Sequence, residues 1–137
     1  DEAVLRRIDT AIPYYILFIL SYENKVQAWA GYKESAEGIN AYKVIKYFHT
    51  DWMPEDEMTF KIEGLNMDTV WNNLIIQVGD IKLEDGNTLG EQIAVNERRN
   101  ELQKNIDRLE KLARAEKQPK KKFEIVQNLN KLKRELS

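Results

Sequence analysis

Apolar positions recur along the chain in three rhythms, and each predicts a different element. Near the start, Val4, Leu5 and Ile8 stand three and four apart, the spacing of one helical face. Pro13 ends that helix, because proline disfavours helical geometry in the residue before it. The segment opens without a capping signal, which predicts further chain upstream. Residues 14–20 then run apolar without alternation, rich in aromatic and β-branched types, as in a strand covered on both faces. Glu23-Asn24 predicts a short turn. Residues 25–31 alternate, with Val26, Ala28 and Ala30 on one side and Lys25, Gln27 and Trp29 on the other. Residues 33–40 read as a polar loop, and Tyr42–His49 as a third strand with Tyr42, Val44 and Phe48 on one face. The product is an antiparallel three-strand meander.

In such a meander the most apolar strand lies at an edge, where unpaired backbone groups invite association. The expectation is a further strand alongside residues 14–20, from upstream sequence or from a second copy as a homo-oligomer. Downstream, residues 51–57 (DWMPEDE) read as an acidic loop and Phe60–Glu63 as a short edge strand. Asn66 or Asp68 can cap a helix running to about Val78, in which Val70, Trp71, Leu74, Ile75 and Val78 recur at helical spacing and face the sheet. Gly79 to Gly90 reads as a connector.

The third rhythm fills the C-terminal part. Leu102, Ile106, Leu109 and Ala113 are spaced four, three, four, and Ile125, Leu129, Leu132 and Leu136 repeat that spacing after Pro119. Two stripes this short stabilise each other best as an antiparallel helical hairpin turning at 117–121. The fold class is therefore α+β: a small antiparallel sheet with packed helices and a C-terminal helical hairpin. The expected organisation is a sheet-containing body over residues 1–87, incomplete at its N-terminus, and a hairpin over residues 88–137.

Charge sharpens that division. The formal net charge of the 137 residues is −2, but residues 1–87 hold 8 Lys+Arg against 15 Asp+Glu, whereas residues 88–137 hold 13 against 8. A basic half can meet phosphate, an acidic partner or the acidic half of its own fold. The tightest cluster is Lys117, Lys120, Lys121 and Lys122. Forty-two per cent apolar residues suffice for a core, which excludes wholesale disorder. The longest apolar run, residues 12–20, is far short of the roughly 20 residues of a membrane helix. With no secretory signal, the chain is expected to be soluble and cytoplasmic.

The chemistry-bearing residues are few. Zero cysteines exclude disulfides, zinc knuckles and thiol catalysis, and a single histidine excludes multi-histidine metal centres. His49, beside Asp51, could act as an oriented general base, but no nucleophile or oxyanion device accompanies it. Asp51, Glu55, Asp56 and Glu57 match no calcium loop. Glu23-Asn24-Lys25 has the spacing of magnesium-dependent nucleases, yet it falls in a turn, and its candidate upstream acid, Asp9, falls in a helix. No catalytic, cofactor-binding or metal-binding residue is assigned. Trp71 reads as core; Trp29, on a strand face with charged neighbours, is the better interface aromatic.

Three stretches together resemble a known family: Ile12-Pro13-Tyr14-Tyr15-Ile16-Leu17, Gly64-Leu65-Asn66-Met67-Asp68-Thr69-Val70-Trp71, and Lys121-Lys122-Phe123-Glu124. The chain resembles a bacterial and archaeal family defined by a domain of unknown function. Its genes often lie beside Swi/Snf-type helicases and DNA methyltransferases of restriction-like defence loci, and its members extend further at the N-terminus. The motifs look structural, so no active-site residue carries over.

The leading expectation is a non-catalytic interaction module of a DNA-modification or defence system. Its hairpin would dock a protein partner, with the helicase or methyltransferase as candidates. The second reading is nucleic-acid binding through Arg98, Arg99, Arg108, Arg114, Lys117, Lys120, Lys121 and Lys122. The third is a nuclease whose site is completed by upstream sequence.

Overall fold

The computed structural model describes residues 1–35 and 42–137. The chain is α+β and divides into two compact units, Asp1–Lys82 and Leu83–Ser137. The first holds helix α1 (Glu2–Ala11), strands β1 (Leu17–Tyr22), β2 (Lys25–Ser35), β3 (Tyr42–His49) and the two-residue β4 (Met53–Pro54), a 3-10 turn at Glu55–Glu57, and helix α2 (Met67–Gly79). The second holds helices α3 (Leu89–Ala115) and α4 (Pro119–Leu136).

The sheet is antiparallel in the order β1-β2-β3, with β4 pairing the start of β2. Glu23 and Asn24 both take positive φ, 47° and 64°, giving the tight hairpin turn whose twist suits antiparallel strands. Register places Val26, Ala28 and Ala30 of β2 on one face with Phe48 of β3, and Gly31 with Tyr47 on the other. Helix α2 lies on the first face, where Gly79 meets the Phe48 ring. Helix α1 is fastened to the second. Both faces of β2 are thus covered: Ala28 and Ala30 are fully buried, and Gln27 and Gly31 are buried opposite them. A Cβ at Gly31 would lie 3.0 Å from the Tyr47 ring and 3.1 Å from Val44, so a larger residue there would need those side chains to shift by a few tenths of an ångström.

Several expectations are corrected. Strand β1 begins at Leu17, not residue 14, and none of its residues is buried, so it is an edge strand rather than one covered on both faces. The preceding Tyr15 is occupied in stacking on Trp71 of α2, with ring centroids 5.0 Å apart. The polar stretch from Lys33 extends β2 to Ser35, because Lys33 finds a buried partner; the rest of the expected loop, residues 36–40, lies outside the described residues. On β3 Tyr47 is buried while Val44 and Phe48 are only half-buried, because a register shift after Tyr32 alters the alternation; the burial of Tyr42, the third residue of the expected face, lies outside what is described.

Phe60–Glu63 joins no sheet. Instead the Gln77 amide receives the Lys61 N–H and donates to the Lys61 carbonyl, at 2.8 and 2.9 Å, so a side chain replaces the missing strand. The acidic segment at residues 51–57 is not a plain loop but carries β4 and the 3-10 turn. Gly64, at φ 154°, opens the turn into α2, where a Cβ would sit 2.7 Å from the Val70 nitrogen. Asn66 then caps α2 by accepting the Thr69 N–H, and Trp71, Ile75 and Val78 form its buried stripe.

Helix α1 differs most from its pattern. Asp1 caps it through the Ala3 N–H, so a capping group is present after all. Its buried residues are Leu5 and Asp9, whereas Val4 and Ile8 are exposed. A charged residue takes the inward place because its partners are on the sheet.

In the second unit, the connector ends earlier than the sequence predicts. Thr88 and Glu91 form a reciprocal capping box that starts α3 at Leu89. Gln92, 1% exposed, accepts from the Glu84 N–H and from the Asn87 side chain and donates to Asn96, which holds the incoming segment on the helix. The chain reverses between Ala115 and Pro119, slightly before the expected 117–121, because Pro119 opens α4 where its missing N–H costs nothing. Ile106, Ala113 and Leu129 are buried and the other stripe residues half-buried, as the paired stripes require.

Candidate functional site

Chemistry needs groups that are both reactive and reachable, and the body does not bring such a set together among the described residues. His49 lies against Trp29, ring centroids 4.5 Å apart, and its Nδ1 faces the Thr50 carbonyl at 2.9 Å. The Gln27 amide nitrogen also faces Nδ1, at 3.2 Å, so the ring tautomer decides which of the two contacts is a hydrogen bond, and no carboxylate hydrogen-bonds to the ring among the described residues. Glu23 sits in the positive-φ turn.

Asp9, the other acid of that candidate set, is turned inward. Its side chain is 1% exposed and meets Lys33 Nζ at 2.8 Å, itself on a side chain 5% exposed. The Tyr47 hydroxyl donates to its second oxygen at 2.5 Å. Lys33 also donates to the Tyr14 carbonyl, and the Arg6 guanidinium covers the Tyr47 ring at 5.1 Å. Burial, then the Asp9 carboxylate, push the Tyr47 hydroxyl well above its ordinary range. The ion pair and the Tyr47 hydrogen bond lie inside the fold and fasten α1 to β2 and β3. They are structural.

Trp29 is half-buried, and its indole N–H donates to Gln27 at 2.8 Å. Tyr14, Tyr22 and Trp52 are more open, at 74%, 65% and 41% exposed, and the last two are set edge to face. Trp71 is core, donating to the Gly31 carbonyl.

The hairpin presents its charges differently. Lys133 reaches Glu110 at 2.9 Å and Arg98 reaches Glu135 at 3.8 Å, so two ion pairs tie the antiparallel helices. Arg99 pairs with Glu84 at 2.7 Å. Two of the eight candidate contacts, Arg98 and Arg99, are therefore engaged within the unit. The other six, Arg108, Arg114, Lys117, Lys120, Lys121 and Lys122, are exposed and make no ion pair among the described residues.

Five of those six surround the turn. Lys117 lies in it, Arg114 in the last turn of α3, and Lys120, Lys121 and Lys122 in the first turn of α4. A helix start carries unpaired N–H groups and partial positive charge, so lysines are electrostatically misplaced there. No acidic residue occupies that first turn, and Gln118 makes no side-chain cap. Phe123 adds an apolar ring, 63% exposed, next to the lysines. The tip thus gathers uncompensated positive charge around one open aromatic. Its charge run was visible in sequence; the open Phe123 was discernible only as a residue off the apolar stripe.

An α+β body carrying a helical hairpin, with no assembled reactive set among the described residues, defines a class by architecture. Residues 1–136 match DUF4391, a domain of unknown function, and the chain belongs to that family. No curated protein and no solved structure is significantly similar to it. No helix among the described residues is long and apolar enough to cross a membrane.

Proposed function

We propose that the chain is a non-catalytic interaction module whose hairpin tip docks an acidic surface of a protein partner. The observation that carries this reading is the group of five exposed cations at the turn, in no ion pair among the described residues, three of them at a helix start that disfavours positive charge. Cations held where they weaken their own helix are accounted for by a negative partner that repays the cost. Phe123 supplies a desolvated contact that a purely electrostatic encounter lacks.

The family resemblance suggests the setting, a restriction-like or DNA-modification defence system, with the neighbouring Swi/Snf-type helicase and DNA methyltransferase as candidate partners. Co-expression with each, followed by capture at low salt, tests this. Capture is expected to be lost when Lys117, Lys120, Lys121 and Lys122 are changed to Glu. Retention of capture by that variant, or no capture of either partner by the unaltered chain, rejects the reading.

Nucleic-acid binding is the second reading, favoured by the same three lysines at the α4 start, since phosphate is satisfied at helix N-termini. It predicts a steep loss of duplex binding with salt, which a titration by fluorescence anisotropy measures directly. Flat salt dependence dismisses it.

A further inference from the structure

The two outer edges of the sheet are built differently. On β3, the outer strand at one side, Lys43 and Lys46 flank an irregularity at which the register passes from Tyr32↔Lys46 to Lys33↔Val44 and leaves Ile45 without a partner. Lysines and bulges are the usual means by which an edge is kept from pairing. Strand β1, at the other side, has the sequence LFILSY: no charge, no proline and no register shift against β2. Its backbone groups bond only to β2 among the described residues, and Ile19 at its middle is 50% exposed.

The register fixes which of its groups face outward. In a hairpin with a two-residue turn, the pair next to the turn is hydrogen-bonded and the pairs alternate from there. Tyr22↔Lys25, Leu20↔Gln27 and Phe18↔Trp29 are then the bonded pairs, so Leu17, Ile19 and Ser21 point their N–H and C=O away from β2. That set is symmetric about Ile19. A second β1 running antiparallel places Ile19 opposite Ile19, and Leu17 opposite Ser21 on either side. Every outward N–H and C=O of the three residues then meets its complement. An uncharged strand meets no like-charge repulsion from its own copy.

We infer that β1 is the pairing edge of a two-fold homodimer, with Ile19 on the axis, joining two sheets into one continuous sheet. A second copy is the occupant because the outward groups form an odd, centred set that its own sequence satisfies in a single register. This inference is independent of the hairpin reading: it concerns a different surface, and either can fail without the other.

Sedimentation equilibrium of the full chain is expected to show a concentration-dependent dimer. Ile19→Lys, on an exposed side chain, and Ser21→Pro, which removes an outward N–H and no bond to β2, are both expected to give monomers with unchanged far-ultraviolet circular dichroism. The chain has no cysteine, so Ile19→Cys offers a position-specific check. Bonded antiparallel pairs lie about 5.5 Å apart at Cα, within disulfide reach, so mild oxidation should cross-link it. Tyr14→Cys, exposed but outside the strand, should not cross-link. A wild-type chain that stays monomeric at high micromolar concentration overturns the inference. So does a dimer that survives Ile19→Lys, or one in which Cys at position 19 does not cross-link.

Discussion

The sheet body and the hairpin use charge in opposite ways. Residues 1–82 hold 8 Lys+Arg against 13 Asp+Glu, and residues 83–137 hold 13 against 10. In the body, the most buried charges are engaged with each other: Asp9, Lys33 and the Tyr47 hydroxyl close a cluster beneath α1. In the hairpin, the apolar stripe forms the core and the charges stay outside, where most of the cations at the tip have no counter-ion among the described residues. Buried charge in this protein is part of the architecture; exposed, uncompensated charge is what the proposed docking reading rests on. A charge count alone does not separate the two, and burial does.

The sharpest way to break that contrast is to remove a buried partner. Asp9→Ala leaves Lys33 buried without its counter-ion and is expected to destabilise the body by about 3–5 kcal/mol. Urea unfolding followed by tryptophan fluorescence measures it. A loss under about 1 kcal/mol would place the pair with ordinary surface ion pairs.

Next comes the hairpin's own core. Leu129→Ala, at the buried centre of α4, is expected to cost about 2–5 kcal/mol through lost apolar contact and a residual cavity. Amide exchange of α3 and α4 reads this loss. Lys133→Ala, removing an exposed ion pair with Glu110, should cost no more than about 1 kcal/mol.

A smaller effect depends on pH. The folded state holds the Tyr47 proton more tightly than the unfolded chain does, so this contribution is whole below about pH 10, the ordinary tyrosine value, and is lost as pH rises through the higher folded value. Wild-type stability should therefore fall on the alkaline side. Tyr47→Phe should be less stable at neutral pH, having lost the Asp9 hydrogen bond, and should show a flatter alkaline limb. Thermal melts at a series of pH values up to the alkaline limit compare the two.

Legibility in the sequence follows the same division. The hairpin was readable because Leu102 to Ala113 and Ile125 to Leu136 follow one rule, apolar inside and polar outside, with Pro119 as punctuation. The third strand, Tyr42–His49, was readable for its β-branched and aromatic residues. Pattern failed where polar groups do internal work. Asp9 broke the apolar face expected of α1, Lys33 hid the extension of β2, and Gln77 gave no sign that it holds Lys61. At the candidate site, the lysine cluster was plain as a run of like charge. That Arg98 and Arg99 are committed to Glu135 and Glu84 was not, because those partners meet only when the unit folds.

The most direct test joins stability to binding at the hairpin tip. In Lys120→Glu/Lys121→Glu/Lys122→Glu, acids replace cations at the start of α4, which should leave the hairpin as stable as before or more so, by about 0.3–1 kcal/mol per site. The same variant should lose capture of the proposed protein partner. Undiminished capture together with an equal or higher melting temperature would contradict the claim that these cations serve a partner.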